Sequence, residues 1–408
     1  MYENLVHQNV AKNLSSDIKK GIFPGAVLFS GPQSCGKLTA ALETARILSC
    51  HQQNAGKWTC DCYNCRQNKA LTFSNLMILG PRDCALEISA AKKTFLDAVQ
   101  NKSSFLTAAH YLFVRSIRKL TLRFNGILWQ GDKNINKIGN IIEEINEDLE
   151  QVDVERPVPP FENLEKICTN LENLCLKLEN EFLYDSIPIN QIRNLEEWAY
   201  KKSEEGKKTI ILENSERMSQ NVRNALLKIL EEPPEDCVFI LLTSNRNAIM
   251  QTILSRVRTY SFVERTIEQQ QDVITRVFHN NTENITINDY LQTFLPVHPT
   301  IIYQEANSFY KSICNRKIPD ISQIIQKCGN FSPRIELRLF LSYLAEIQRK
   351  MIYSQEGCEI AAKCLKLYVT CWENITLYNQ TIPAALEILL KEMSSLNVQN
   401  EMIMTKSL

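Results

Sequence analysis

The stretch Gly25–Leu48, "GAVLFSGPQSCGKLTAALETARIL", constrains the fold more than any other part of the chain. "GAVLFS", bounded by Pro24 and Gly31, is a short apolar run that reads as a buried strand of a parallel sheet. Leu38 to Leu48, with apolar residues at Ala41, Leu42, Ala45 and Leu48, reads as the helix that follows. A strand turning through glycines into a helix gathers backbone N–H groups around one point, the setting for a phosphate. Within the pattern GxxxxGK[ST], Gly31, Gly36 and Lys37 meet the first demands, but Leu38 stands where a hydroxyl should bind magnesium. Thr39 lies one residue on, turned about 100° around the helix, and is a poor substitute. A glycine turn that holds no nucleotide is the competing reading, and Leu38 strengthens it.

Two further strands, "KTIILEN" ending near Asn214 and "CVFILLTSN" ending near Asn245, flank a helix from about Ser219 to Glu232 that the diproline Pro233-Pro234 ends. The expected fold is therefore α/β, a parallel sheet between helices. ATP hydrolysis would need an acidic pair at a strand end, one carboxylate for magnesium and one to polarise water. Here the strand ends in Glu213 and Asn214, and an amide cannot accept a proton from water.

A second pattern lies just beyond the first helix. Cys62 and Cys65 form CxxC, Cys60 precedes them by two, and Cys50 ends the helix. Four thiolates close a tetrahedral zinc site with no open position, which makes such a site structural; His51 is an alternative fourth ligand to Cys60, and unligated thiols are the plainer reading. The other ten of the 14 cysteines are scattered through helical patterns, as expected of reduced thiols in a chain of 408 residues.

Between the cysteines and the second strand the periodicity changes. Ile135, Ile138, Ile142, Ile145, Leu149 and Val152 form one helical stripe, and Leu164, Ile167, Leu171, Leu174, Leu178 and Phe182 another. "DVERPVPP" separates them, predicting an antiparallel helix pair. Arg115, Arg118, Lys119 and Arg123 share roughly one helical face. Solvation of that face, or pairing with the acidic run Glu143 to Glu150, is favoured over contact with nucleic acid. After about Arg265 the chain reads as helices, "SPRIELRLFLSYLAEIQRKMIY" most clearly.

Lys+Arg and Asp+Glu both number 46, so no global charge drives binding to nucleic acid or membrane. No apolar run approaches the roughly 20 residues that span a bilayer, and the N-terminus lacks a basic segment followed by an apolar one. A cytoplasmic protein is expected.

With these residues assembled, the chain resembles the bacterial DNA polymerase III clamp-loader subunits of the AAA+ class, the gamma/tau and delta-prime kind. The most specific match is Asn224 to Arg256, "NALLKILEEPPEDCVFILLTSNRNAIMQTILSR". It is similar to the family's NALLKxLEEPP helix, sensor strand and Ser-Arg-Cys motif, the last appearing as Ser255-Arg256-Val257. "LFSGPQSCGK", the cysteine group and "IPINQIRNLEEWAY" match in the expected order, so that residues 1–83 and 187–262 are covered well and the helical remainder by class.

The resemblance implies an AAA+ domain over 1–83 and 187–262, a lid over 263–310 and a collar over 311–408. Residues 84–186 are left as a helical insertion without counterpart. Active members carry Lys-Thr or Lys-Ser and Asp-Glu; the departures at Leu38 and Asn214, with no clear sensor-2 arginine, argue against hydrolysis and weigh against ATP binding. The arginine finger maps to Arg256, with Arg258 nearby, and Thr243 or Ser244 at the sensor strand's end would hold the subunit's shape. The family zinc motif CxxCxxC is CxCxxC here, with Thr59 at the family position and Cys60 displaced by one.

The implied role is delta-prime-like: a non-catalytic subunit in a pentamer with gamma/tau and delta, acting on the sliding clamp and primer-template DNA. An active gamma-like ATPase is one alternative. A DNA-repair accessory scaffold that binds through its insertion is another.

Overall fold

The computed structural model describes every residue except 53–55, 155, 204–205, 332–333, 377, 379 and 406–408. Glu155 in the predicted linker and the first two residues of "SPRIELRLFLSYLAEIQRKMIY" therefore lie outside the described residues.

The apolar runs form a five-stranded, wholly parallel sheet: β1 (Ala26–Ser30), β2 (Leu76–Leu79), β3 (Lys208–Leu212), β4 (Cys237–Thr243) and β5 (Arg258–Ser261), in the order β2-β3-β4-β1-β5. β1, β3 and β4 are the three expected strands. The other two escaped sequence reading for opposite reasons: "LMIL" is only four residues long, and "RTYS" is an edge strand with a largely polar pattern.

Helices cover both faces. α1 (Val10–Lys19), α2 (Lys37–Leu48) and α3 (Tyr63–Ala70) precede β2; α4 (Ala85–Gln100), α5 (Leu106–Thr121), α6 (Ile135–Gln151), α7 (Phe161–Phe182) and α8 (Ile189–Tyr200) separate β2 from its neighbour β3. α9 (Gln220–Glu231) joins β3 to β4, capped at its start by the Ser219 hydroxyl, which accepts the Val222 N–H, and stopped before Pro233. α10 (Gln251–Leu254) leads into β5, and α11 (Ile267–Phe278) and α12 (Ile287–Gln292) follow.

The two predicted stripes are α6 and α7, packed on each other. Ile138, Ile145, Leu149, Leu164, Leu171 and Leu178 lie in one apolar core with Leu28, Leu79, Ile210 and Leu241 of the sheet. The inserted helices are thus part of the body, since apolar side chains of α4–α7 leave water only by covering the sheet and each other.

Two compact units divide the chain, Met1–Leu291 and Gln292–Leu408. The second holds α13 (Pro299–Cys314), α14 (Ile321–Lys327), α15 (Arg334–Ile347), α16 (Gln355–Thr376) and α17 (Ile382–Thr405) around its own core, which includes Phe309, Phe340, Leu344, Cys364 and Met393. This redraws the expected lid and collar. Residue 310 falls inside α13, whose buried face runs unbroken through Ala306, Phe309, Tyr310 and Ile313, and α11 belongs with the α/β body. Among the described residues no helix is long and apolar enough to cross a membrane.

Candidate functional site

The loop between β1 and α2 has the backbone of a phosphate loop. Gly36, at φ 97°, takes the left-handed conformation that only glycine adopts without strain, and Ser34 also has positive φ, at 56°. At Gly31 a Cβ would stand 2.6 Å from the Phe262 carbonyl oxygen, so glycine is required there for close packing.

The side chains close this loop on itself. The Lys37 ammonium donates to the Gly31 carbonyl at 2.6 Å and also to that of Pro32, and burial lowers its pKa. Arg265 reaches in from the sequence after β5: its Nη1 donates to the Ser34 carbonyl at 2.7 Å, and Nη2 to that of Val6 at 3.0 Å. Leu5 and the Arg265 guanidinium stand so near Gly36 that a Cβ there would meet them at 2.9 and 3.0 Å. Leu38 is buried in the apolar layer that includes Leu5, Phe29 and Ile211, while Thr39 is exposed.

Glu213, next after β3, is buried between two arginines. Arg82 Nη1 donates to Oε1 at 3.1 Å, and Arg123 Nη2 pairs with Oε2. Both lone-pair faces of the carboxylate are thereby committed to fixed cations. Asn214 follows at φ 48°, its amide donating to the Pro81 carbonyl.

Thr243 ends β4 and binds the loop from behind, its carbonyl accepting the Gly31 N–H at 3.2 Å. The Ser244 hydroxyl donates to Glu216 at 2.5 Å. Burial acts to raise the Glu216 carboxyl, but hydrogen bonds from Ser244 and Thr243 outweigh it and hold the group below its ordinary value. Thr243 thus touches the loop and Ser244 touches Glu216; Glu216 and Arg265 were missed, because neither belongs to a pattern that marks it.

Arg256 lies away from this loop. β5 runs parallel to β1 with Arg258 beside Val27 and Ser261 beside Ser30, so Arg256 precedes the edge where strands begin, whereas the loop follows the edge where they end. The three residue steps between those edges span about 10 Å. Arg256 donates from Nε and Nη2 to Glu231 at 3.1 and 2.9 Å, at the end of α9. Arg258 pairs with Asp17 at 2.9 Å.

The cysteines converge at the other end of α2. The four Sγ atoms of Cys50, Cys60, Cys62 and Cys65 all lie within 4.8 Å of one another, Cys50 being 3.7 Å from Cys60 and 3.9 Å from Cys62. A tetrahedral ion with metal–sulfur distances of about 2.3 Å sets its sulfurs about 3.8 Å apart, so the thiols fit a closed four-sulfur site. His51 is turned elsewhere, its Nε2 at 2.8 Å from the Asn64 amide, and Cys60 is the fourth member of the group. The buried Arg46, paired bidentately with Glu43, places Nη1 3.4 Å from Cys65 Sγ, where it would offset the charge of a metal-bound thiolate.

Finally, the basic cluster faces inward. Arg115 donates to the Lys69 carbonyl and Arg118 to that of Ala70 at 2.7 Å, at the C-terminal end of α3 where carbonyls lack helical partners; Lys119 pairs with Glu87 and Arg123 with Glu213. The expected solvated face, and the expected pairing with Glu143 to Glu150, are both replaced by these internal contacts.

Residues 6–266, well over half of the chain, match the family described as DNA polymerase III, delta subunit. The chain belongs to that family. This delta-family chain is 34% identical over 110 residues to DNA polymerase III subunit delta' of Bacillus subtilis (strain 168), a match covering 24% of this chain and 33% of that protein. It is 25% identical over 184 residues to subunit delta' of Buchnera aphidicola subsp. Baizongia pistaciae, covering 44% and 47%. A shorter match, 46% identical over 55 residues, is to subunit tau of Bacillus subtilis, covering 14% of this chain and 10% of that one. The chain spans no more than about half the length of these relatives. The AAA+ fold class expected for the family, a parallel sheet between helices with a helical C-terminal region, is the one this member adopts.

Proposed function

We propose that this chain is the delta-prime-like subunit of a DNA polymerase III clamp loader, which does not hydrolyse ATP and lends Arg256 to a neighbouring subunit's ATP. Its partners would be gamma/tau and delta subunits, and through them the sliding clamp and primer-template DNA, in the cytoplasm. The second unit, Gln292–Leu408, would form its part of the collar.

The observation that carries this reading is the separation of Arg256 from the chain's own phosphate loop. At the far edge of the sheet the guanidinium cannot reach that loop. Near the surface, where it is held by the exposed Glu231 and by the Thr252 carbonyl one turn back, it can exchange the Glu231 partner for a phosphate on an adjoining subunit. The closed loop and the doubly paired Glu213 support the absence of hydrolysis. A gamma-like ATPase would instead need Glu213 free to work at magnesium.

Cys50, Cys60, Cys62 and Cys65 would hold a zinc ion as four thiolates. With no open position such an ion fixes the segment after α2 to α3 and performs no chemistry. The DNA-repair scaffold reading loses support. Its basic cluster is used internally, and the stretch 132–185 carries 14 acidic against 5 basic residues, which repels a phosphate backbone.

Two assays test the proposal. The purified chain should bind a fluorescent ATP analogue no better than buffer controls and show no turnover. Reconstituted with gamma and delta subunits, an Arg256→Ala complex should lose most of its DNA-stimulated ATPase rate. Unchanged turnover would sink the finger assignment.

A further inference from the structure

α3 is a weak helix in a demanding place. It is eight residues long, too short to persist alone in water, and its buried side chains are Asn64, Cys65 and Asn68, with no aliphatic residue among them. Yet it carries two of the four thiols, Cys62 at its N-cap and Cys65 in its first turn. Polar contacts therefore have to hold it. Along its side, Asn64 donates to the Ser49 carbonyl and Asn68 to the Ser49 hydroxyl, each at 2.9 Å, next to Cys50.

Its C-terminal end is closed by two different means. An α-helix leaves its last four carbonyls without partners of its own. Those of Gln67 and Asn68 accept the Thr72 and Leu71 N–H groups at 2.9 and 3.2 Å, the chain turning back at Leu71 with φ 58°. Those of Lys69 and Ala70 are taken from outside, by Arg115 and Arg118 of the inserted helix α5, the second at 2.7 Å. The helix dipole favours cations at this end. α5 is a firm support for them, because its Phe113, Ile117 and Leu120 are fully buried in the core that includes the sheet. Lys69 carries the contact further: with its carbonyl held by Arg115, its ammonium donates to the Cys60 carbonyl at 2.8 Å.

We infer that Arg115 and Arg118 are positioning residues of the four-cysteine site, and that α5 is the platform from which they keep Cys60, Cys62 and Cys65 in place. A helix of two turns that loses the caps at one end has no interior left to protect the ligands at the other. An ion that meets ligands already in position does not have to order them, so partners behind the ligands add to its retention. The assignment rests on the same reading of the four cysteines as a zinc site, and it gives the insertion a part in that site.

Zinc release from the full-length chain to a chelating dye tests it, beside elemental analysis of the wild type, which should contain the metal. In an Arg115→Met/Arg118→Met variant release should be about tenfold faster. The same pair of substitutions should cost the zinc-loaded chain more stability than the metal-stripped chain. An equal cost in both forms is what arginines serving the fold alone would give, and it would overturn the inference. Arg118→Met by itself is the milder variant, readable even if the double variant does not fold, and its release should rise by a smaller factor. Arg66→Met removes an exposed cation from α3 without uncapping it and should leave release at the wild-type rate. Equal acceleration there would make charge rather than capping the cause and overturn the assignment. A wild-type chain that neither contains nor takes up zinc would overturn the zinc reading together with this inference. A loaded wild type whose release is unchanged in both α5 variants would overturn this inference alone.

Discussion

The two ends of α2 have had different fates. At its N-terminus the phosphate loop keeps its backbone, with glycine where the turn requires it, but its carbonyls are satisfied from within by Lys37 and Arg265. At its C-terminus the four thiols still point at one centre, and the neighbouring charges, Arg46 above all, serve that centre. The lesson is that the loop carbonyls find partners within the chain, whereas the four thiols converge on a point that a metal ion would fill.

The largest expected effect is at the cysteine end. Cys60→Ser or Cys65→Ser should abolish metal retention and destabilise the protein by about 5 kcal/mol, read by elemental analysis and by melting with and without chelator. Full metal content in Cys60→Ser would return the fourth position to another ligand and weaken the contrast.

At the other end the same logic makes Glu213 structural. Arg123→Met leaves a buried carboxylate short of a partner and should cost about 3–5 kcal/mol in a denaturant titration. A neutral result, with ATP turnover appearing, would break the comparison outright.

The contact between α7 and the start of α4, beside that end, can be probed through pH. Burial, with help from the Asp83 charge, raises the Glu179 carboxyl from its ordinary 4.5 to about 8, although it accepts the Cys84 and Ala85 N–H groups at the start of α4. Between those values the folded chain holds a proton that the unfolded chain releases, so this contribution to stability is full below 4.5 and is lost as pH rises through 8. Glu179→Gln keeps an acceptor and carries no charge. It should flatten the pH dependence and be more stable near pH 8 by on the order of 2 kcal/mol. A variant that follows the wild-type curve would remove Glu179 from the account.

The smallest effect is Leu38→Thr, which restores the hydroxyl. It exchanges a buried aliphatic side chain for a smaller polar one and should cost about 1 kcal/mol while adding no ATP turnover. Turnover in that single variant would show the loop to be one residue from activity.

Much of this was legible in order along the chain. The β1–α2 turn, the lost hydroxyl at Leu38, the amide at Asn214 and the cysteine spacing all depend on residues close in sequence, and so do the stripes that became α6 and α7. The arginines were misjudged for the opposite reason. Arg123 meets Glu213 across 90 positions, and Arg265 meets Ser34 across 231, and no local period encodes such a meeting. The choice between Cys60 and His51 was open for the same cause. It depends on how α3 is held against the end of α2, where Asn64 claims the histidine.

By itself, then, the sequence determined the fold class and marked the candidate sites, because strand, helix and loop propensities and ligand spacing act over a few residues. Tertiary structure alone decided which partners the residues of those sites take. A buried charge is tolerable only beside its opposite, and the two arginines that pair with Glu213 flank the inserted helices and reach it only where those helices pack against the sheet.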